Sequence, residues 1–144
     1  MDIRQALAQG GPVVLGDKTF NVAALTQGIK GLWSQWCIEN AWRRTMAWIA
    51  NLPPDIADRE MEKTAAQVNS GRYEYYGDLS IAAQKTFDGF VHLLWLRFKP
   101  NHPQLKKEEL EELLVANDGA VLQAVMKQVQ ALDADPTNAK RIQE

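Results

Sequence analysis

The side chains best suited to nucleophilic or metal chemistry are few and are scattered along the chain. They are a single cysteine, Cys37, and two histidines, His92 and His102. A nucleophilic thiol needs a base beside it, and a zinc site needs several Cys or His ligands at close spacing. Cys37 lies in an apolar stretch, and neither histidine stands at ligand spacing from it. The pattern predicts no catalytic site and no metal site, so we expect that the protein is not an enzyme.

Two further patterns are candidates for acid–base or phosphate chemistry. Four glutamates lie close together, at Glu108, Glu109, Glu111 and Glu112. They flank a leucine stripe, which is the pattern of a solvated helix face. Gly10 and Gly11 precede a proline, without the strand–loop–helix context of a phosphate-binding loop. We therefore expect no cofactor.

Composition narrows the class of protein further. The chain has 144 residues, 46% of them hydrophobic, and a net charge of −2. Such a balance disfavours a nucleic-acid binder or a polybasic membrane patch. The longest apolar run, residues 90–96, is too short to span a bilayer, and no signal peptide is visible. With one cysteine there is no intramolecular disulfide either, so we expect a cytoplasmic protein.

Helices make up most of the predicted secondary structure that places these residues. Two β-favouring runs, residues 12–15 and 19–22, flank a Gly-Asp-Lys turn and predict a hairpin. Apolar periodicity predicts helices at about residues 23–51, 54–69, 79–98, 106–116 and 120–132. The fold class is thus mainly α: a small domain of about five helices with a short N-terminal β-hairpin. We expect one domain over residues 1–132 and a flexible tail over 133–144.

The third helix has the strongest apolar stripe. We expect it to form the core through four side chains: Phe87, Phe90, Leu94 and Phe98.

Tryptophans are concentrated in the first helix. Four of the five lie there: Trp33, Trp36, Trp42 and Trp48. At 3.6 residues per turn they spread around the helix, so one core-facing stripe does not hold them all. Either this helix is buried on two sides, or it presents an aromatic patch to a partner. For the second alternative we predict that at least one of Trp36, Trp42 and Trp48 is exposed. The predicted partner-binding residues are Trp36, Trp42, Arg43, Arg44, Trp48, Tyr75 and Tyr76.

Two segments resemble a known family. Residues 15–22, with the sequence LGDKTFNV, are similar to the hairpin that opens many tail assembly chaperones of long-tailed bacteriophages. In residues 92–114 an apolar helix passes through Leu94-Trp95 to a basic residue and a His102-Pro103 turn, and a leucine-rich helix follows. This order also resembles that family. Lys106 departs from it, because a Thr or Ser cap is usual there.

The resemblance implies a function in tail assembly. Such a chaperone binds the tape-measure protein in the host cytoplasm, keeps it soluble and helps to recruit tail-tube protein subunits. A second copy, forming a homo-oligomer, is another partner to expect, whereas nucleic acid and membrane are not. Two alternatives stay open: a structural virion protein of the neck or tail-completion type, which purified virions would contain, and a small helical regulatory protein.

Overall fold

The computed structural model describes residues 10–133 of the chain. Within this range a two-stranded antiparallel sheet precedes six α-helices, which confirms the mainly α fold class with an N-terminal hairpin. The strands are β1, Gly11–Leu15, and β2, Lys18–Val22. The helices are α1, Gln27–Ile49; α2, Pro54–Asn69; α3, Asp78–Gln84; α4, Phe87–Phe98; α5, Lys107–Val115; and α6, Ala120–Asp133.

The chain divides into two compact units. The described part of the first unit comprises residues 10–26 and 91–133, and the second unit comprises residues 27–90. Helix α4 begins in the second unit and ends in the first. The expectation of one domain over residues 1–132 stays a prediction. Of the predicted tail, only Asp133 is described, and it is the last residue of α6.

The hairpin forms at the predicted place. Gly16 and Asp17 make a two-residue loop, and Gly16 has a φ of 64°, the backbone that the first central position of a type II′ turn requires. Val13 and Leu15 on β1 and Val22 on β2 are buried. The hairpin therefore contributes to the core of the first unit, which a lone two-stranded sheet needs for stability.

Side chains occupy both outer edges of this sheet. On β1, the Val14 N–H donates to Gln128 Oε1 over 2.7 Å, and Gln128 Nε2 donates to the Val14 carbonyl over 3.0 Å. On β2, the Asn21 N–H donates to His102 Nε2 over 2.9 Å, and Asn101 Nδ2 donates to the Asn21 carbonyl over 3.1 Å. Occupied edges resist the pairing with other strands that exposed edges invite.

A buried arginine joins three segments of the first unit. Arg97, at the end of α4, donates from Nε to the Ala23 carbonyl over 2.9 Å, and its own carbonyl accepts from the Ala23 N–H over 2.8 Å. Its two terminal nitrogens donate to the Asp133 carboxylate over 3.1 and 3.0 Å. Arg97 thus ties the segment after β2 and the end of α6 to α4. A buried guanidinium is tolerated because it is paired and hydrogen-bonded.

In the second unit, α1 and α2 form an antiparallel helix pair joined by a short loop at residues 50–53. Helix α2 agrees with its predicted bounds. It begins at Pro54, whose fixed φ suits the first helical turn, and it ends before Gly71, whose φ of 79° is the left-handed conformation of a C′ residue. Helix α1 begins at Gln27, four residues later than the pattern predicted.

The helix predicted at residues 79–98 is two helices, α3 and α4. Thr86 ends the first and caps the second, because its Oγ1 donates to the Ala83 carbonyl over 2.7 Å and accepts from the Gly89 N–H over 3.0 Å. Gly89 lies so close to Ala83 that a Cβ there would come within 1.8 Å of its carbonyl oxygen. Apolar periodicity alone does not reveal this break.

The break changes which residues of the predicted core are buried. Leu94 and Phe98 are buried as expected, with 2% and 0% of their surface exposed. Phe90 is half-buried, and the prediction for Phe87 is wrong because this ring is 42% exposed. Phe87 is the first residue of the new helix, so it lies at an end and not within a continuous stripe.

Leu94→Ala is expected to lower the free energy of unfolding by about 2–5 kcal/mol, because it leaves a cavity in the core. Phe87→Ala is the matched control and is expected to cost clearly less, because much of that ring is already in water. Urea denaturation of the two variants measures the difference. Equal costs would contradict the burial described above.

Asp133→Asn is expected to cost about 2–4 kcal/mol of stability, because it leaves the buried Arg97 charge without its counter-ion. The double variant Arg97→Met/Asp133→Asn removes that charge as well, so it is expected to be more stable than Asp133→Asn alone. Urea denaturation of both variants tests this order. If Asp133→Asn unfolds at the wild-type midpoint, the ion pair contributes nothing to the fold.

Candidate protein-binding surface

Helix α1 has one stripe that is buried in the second unit. It consists of Ile29, Trp33, Cys37 and Ala41, which repeat every four residues. Trp33 is fully buried, and its Nε1 donates to Ser80 Oγ over 2.8 Å. This hydrogen bond satisfies the indole N–H, so the largest side chain of the stripe is buried without an unpaired donor.

Trp48 lies on the same side of α1 but is exposed. It follows Ala41 by seven residues, which is about 20° short of two full turns, so it continues the buried stripe along the helix. Nevertheless 64% of its surface is accessible. The prediction that at least one of three tryptophans is exposed is confirmed by this residue.

The other predicted residues of α1 lie in different environments. Trp36 is half-buried and its ring stacks on Trp33, with centroids 5.2 Å apart. Trp42 is also half-buried, and Arg43 and Arg44 are exposed. Trp42 and Trp48 are six residues apart, which places them about 120° apart around the helix. The two tryptophans therefore do not form one flat patch.

Other large apolar side chains of the helix pair are exposed as well. They are Leu32 and Met46 on α1 and Ile56 and Met61 on α2. Met46 follows Trp42 by four residues and lies on its side of α1. Single exposed apolar residues are ordinary, but this helix pair exposes five large ones, counting Trp48.

The segment between α2 and α3 presents two tyrosines. We call residues 72–77 the tyrosine connector. Tyr75 and Tyr76 meet edge to face with ring centroids 4.9 Å apart, and Tyr76 is 75% exposed. Lys30 of α1 lies over both rings, 5.3 and 4.9 Å from their centroids, and donates to the Tyr76 hydroxyl over 3.0 Å. A groove of about 510 Å³ lies beside these residues.

The tyrosine connector is held in a compact turn. Arg72 donates two hydrogen bonds to the Asp78 carboxylate, over 3.0 and 2.7 Å. These bonds lower the pKa of Asp78 below its usual value. A Cβ at Gly77 would come within 2.2 Å of the Arg72 carbonyl oxygen, so only glycine fits there. Tyr76 is thus exposed on an ordered backbone.

The structure does not bring the predicted binding residues together on one surface. Tyr75 and Tyr76 lie beside Lys30, near the start of α1, and Trp48 lies near its end. Eighteen residues of α-helix span about 27 Å, so the tyrosines do not extend the surface around Trp48. Arg44 instead borders a smaller groove of about 210 Å³, with Glu60 and Lys63 of α2.

Two residues of this region were not predicted from the sequence. Lys30 organises the tyrosine pair, and Ser80 accepts from Trp33 while its Oγ donates to the Tyr75 carbonyl over 2.9 Å. Ser80 therefore links the buried Trp33 to the tyrosine connector. A lone serine on a short helix gives no sequence signal for such a role, because its partners are distant in the chain.

The geometry at Cys37 does not favour nucleophilic chemistry. The thiol is buried, and burial raises its pKa to about 12, although the nearby Arg44 charge acts in the opposite direction. Among residues 10–133 no group of three or more Cys, His, Asp or Glu side chains is placed to hold a metal ion. Nor does this part of the chain contain a helix with the length and hydropathy that crossing a membrane requires.

Searches of protein-family models, curated proteins and solved structures find no match to this chain.

In the native protein, Cys37 is expected to react slowly with a thiol reagent such as dithionitrobenzoate at pH 8. Its raised pKa keeps it as the thiol, and the reactive species is the thiolate. The same protein unfolded in urea is the control and should react rapidly. A native rate close to the unfolded rate would show that the thiol is accessible and ionised.

Proposed function

We propose that this protein is a tail assembly chaperone of a long-tailed bacteriophage. In this role it binds an apolar helical segment of the tape-measure protein in the host cytoplasm and keeps that protein soluble until tail-tube subunits assemble around it. The segments at residues 15–22 and 92–114 support the proposal through their resemblance to that family.

The observation that carries the proposal is the exposure of Trp48. A stripe that is buried at Ile29, Trp33, Cys37 and Ala41 continues to a tryptophan that the described residues leave 64% exposed. Tryptophan buries a large area at small entropic cost and is enriched among the residues that dominate binding energy. A helix of a partner that packs along α1 would extend the core of this unit over Trp48.

The charged residues near this surface suit a soluble carrier. Arg44 is exposed one turn before Trp48 and about 40° from it around α1, a position that suits the polar rim of an apolar contact, whereas the exposed Arg43 is about 140° away. Such a rim keeps the free protein soluble while the apolar centre binds its client. A second copy of the chain is the competing occupant, because the same surface also suits a homodimer.

Trp48→Ser is expected to leave the fold intact and to weaken client binding by about 2 kcal/mol or more, because an exposed hot-spot residue contributes to the complex and not to the core. Co-expression with the phage's tape-measure protein, followed by co-purification and a titration, measures both its solubility and the affinity. Ile81→Ser removes another exposed apolar side chain, on α3, and is the matched control.

Three results would contradict the proposal. The first is a tape-measure protein that is equally soluble with and without this chain. The second is a Trp48→Ser variant that unfolds, which would return Trp48 to the core. The third is the presence of the chain in purified virions at a fixed copy number, because a chaperone leaves before the tail is complete.

A further inference from the structure

A further groove lies in the first unit, which does not contain α1. It has a volume of about 660 Å³, within the range of about 300–1,000 Å³ that is common for binding clefts. Its apolar lining comes from three segments: β2, the loop before α5, and α5 with the turn after it. These apolar residues are Phe20, Pro103, Leu105, Leu113 and Ala116.

The positions of the apolar side chains are set by buried neighbours. Phe20 stacks on the buried Phe98, with ring centroids 5.2 Å apart, and meets His102 edge to face at 5.0 Å. The Leu105 carbonyl accepts from Trp95 Nε1 over 2.9 Å, which ties the loop before α5 to α4. The floor of the groove is therefore ordered before any partner binds, which lowers the entropic cost of binding.

The charged lining of the groove is mainly acidic. Glu109 and Glu112 are exposed and are three residues apart on α5, so their carboxylates lie on one side of the helix. Lys18 comes from β2 and is outnumbered by these two carboxylates. An apolar floor beside paired carboxylates is complementary to an apolar side chain next to a Lys or Arg.

The backbone of the hairpin excludes one mode of binding at Asn21. A partner strand would need the outward N–H and C=O of β2, and those of Asn21 already bind His102 and Asn101. His102 itself lines the groove. A groove lined by side chains suits the helix-in-groove mode instead. The nine residues of α5 form about 13 Å of its wall, which matches about two and a half turns of a partner helix.

We propose that this groove binds a basic amphipathic helix of another protein. Leu-type side chains of that helix occupy the floor formed by Phe20, Leu105 and Leu113, and a flanking Lys or Arg pairs with Glu109 and Glu112. This surface is additional to the one around Trp48, and the proposal does not depend on the identity of the client there.

The test uses two labelled synthetic helices of about 18 residues, long enough to be helical in solution. One has a leucine face flanked by arginines, and the other has glutamates in place of those arginines. Fluorescence anisotropy with the full chain is expected to show about tenfold tighter binding of the basic helix, because each exposed charge pair contributes modestly and several act together.

Three variants assign the binding to the groove. Glu109→Gln/Glu112→Gln is expected to weaken binding of the basic helix about three- to tenfold. Glu109→Lys/Glu112→Lys is expected to reverse the preference in favour of the acidic helix. Glu108→Gln, an exposed glutamate of the same helix outside the groove, is the matched control and should bind like the wild type.

The inference fails if the wild type binds neither helix, if it binds both equally, or if Glu108→Gln weakens binding as much as the double variant does. Trp48→Ser should bind the basic helix normally. If Trp48→Ser loses the tape-measure protein while the groove variants bind both helices like the wild type, then the proposed function stands and this inference falls. If the groove variants change helix binding as expected while Trp48→Ser binds the tape-measure protein like the wild type, then this inference stands and the proposed function fails.

Discussion

The first unit depends on one buried cation. Arg97 has 3% of its surface exposed, and burial of an unpaired guanidinium would be too costly for a domain of ordinary stability. Each pairing that removes this cost also fixes a chain segment, because Ala23 follows β2 and Asp133 ends α6. The same side chain therefore aligns the end of the hairpin and the last helix with α4. A bidentate pair is directional, so it selects one arrangement where apolar packing alone tolerates several.

That arrangement has consequences at the surface of the same unit. The hairpin contributes Phe20 to the groove that Glu109 and Glu112 line. The backbone N–H and carbonyl of its Asn21 are hydrogen-bonded to His102 and Asn101. These side chains thus form the hydrogen bonds at Asn21 that a third strand would form in a larger sheet. The hairpin is stabilised within its own unit, and the Asn21 backbone groups are not available to pair with another strand.

In the second unit, one helix contributes both a buried core residue and an exposed tryptophan. Its core is organised around Trp33, whose N–H is satisfied by Ser80, and Ser80 in turn donates to the tyrosine connector. Along the same side of the helix, Trp48 follows the buried residues and is exposed. An exposed tryptophan on the side of α1 that is otherwise buried is the observation behind the proposed partner surface. The two ends of α1 therefore differ, with ordered tyrosines beside its start and an exposed tryptophan near its end.

Local features of this protein follow from its amino-acid sequence alone. Gly16-Asp17 between alternating apolar residues specified the hairpin, Pro54 and Gly71 bounded α2, and the leucine and valine stripes placed α5 and α6, because turn chemistry and side-chain period are properties of neighbouring residues. The spacing of the tryptophans also required that they point in different directions around the helix. The spacing does not predict which tryptophan is buried. It gives the direction in which each side chain points from the helix axis, but not which part of the protein lies in that direction. The folded structure was needed to show that Trp33 is buried and Trp48 exposed, and that Thr86 divides the predicted third helix. It also placed Arg97 in the core and brought Phe20, Leu113 and Glu109 together at one groove. Each of these features depends on contacts between residues that are distant in the chain, or on a hydrogen bond that the spacing of apolar residues does not predict.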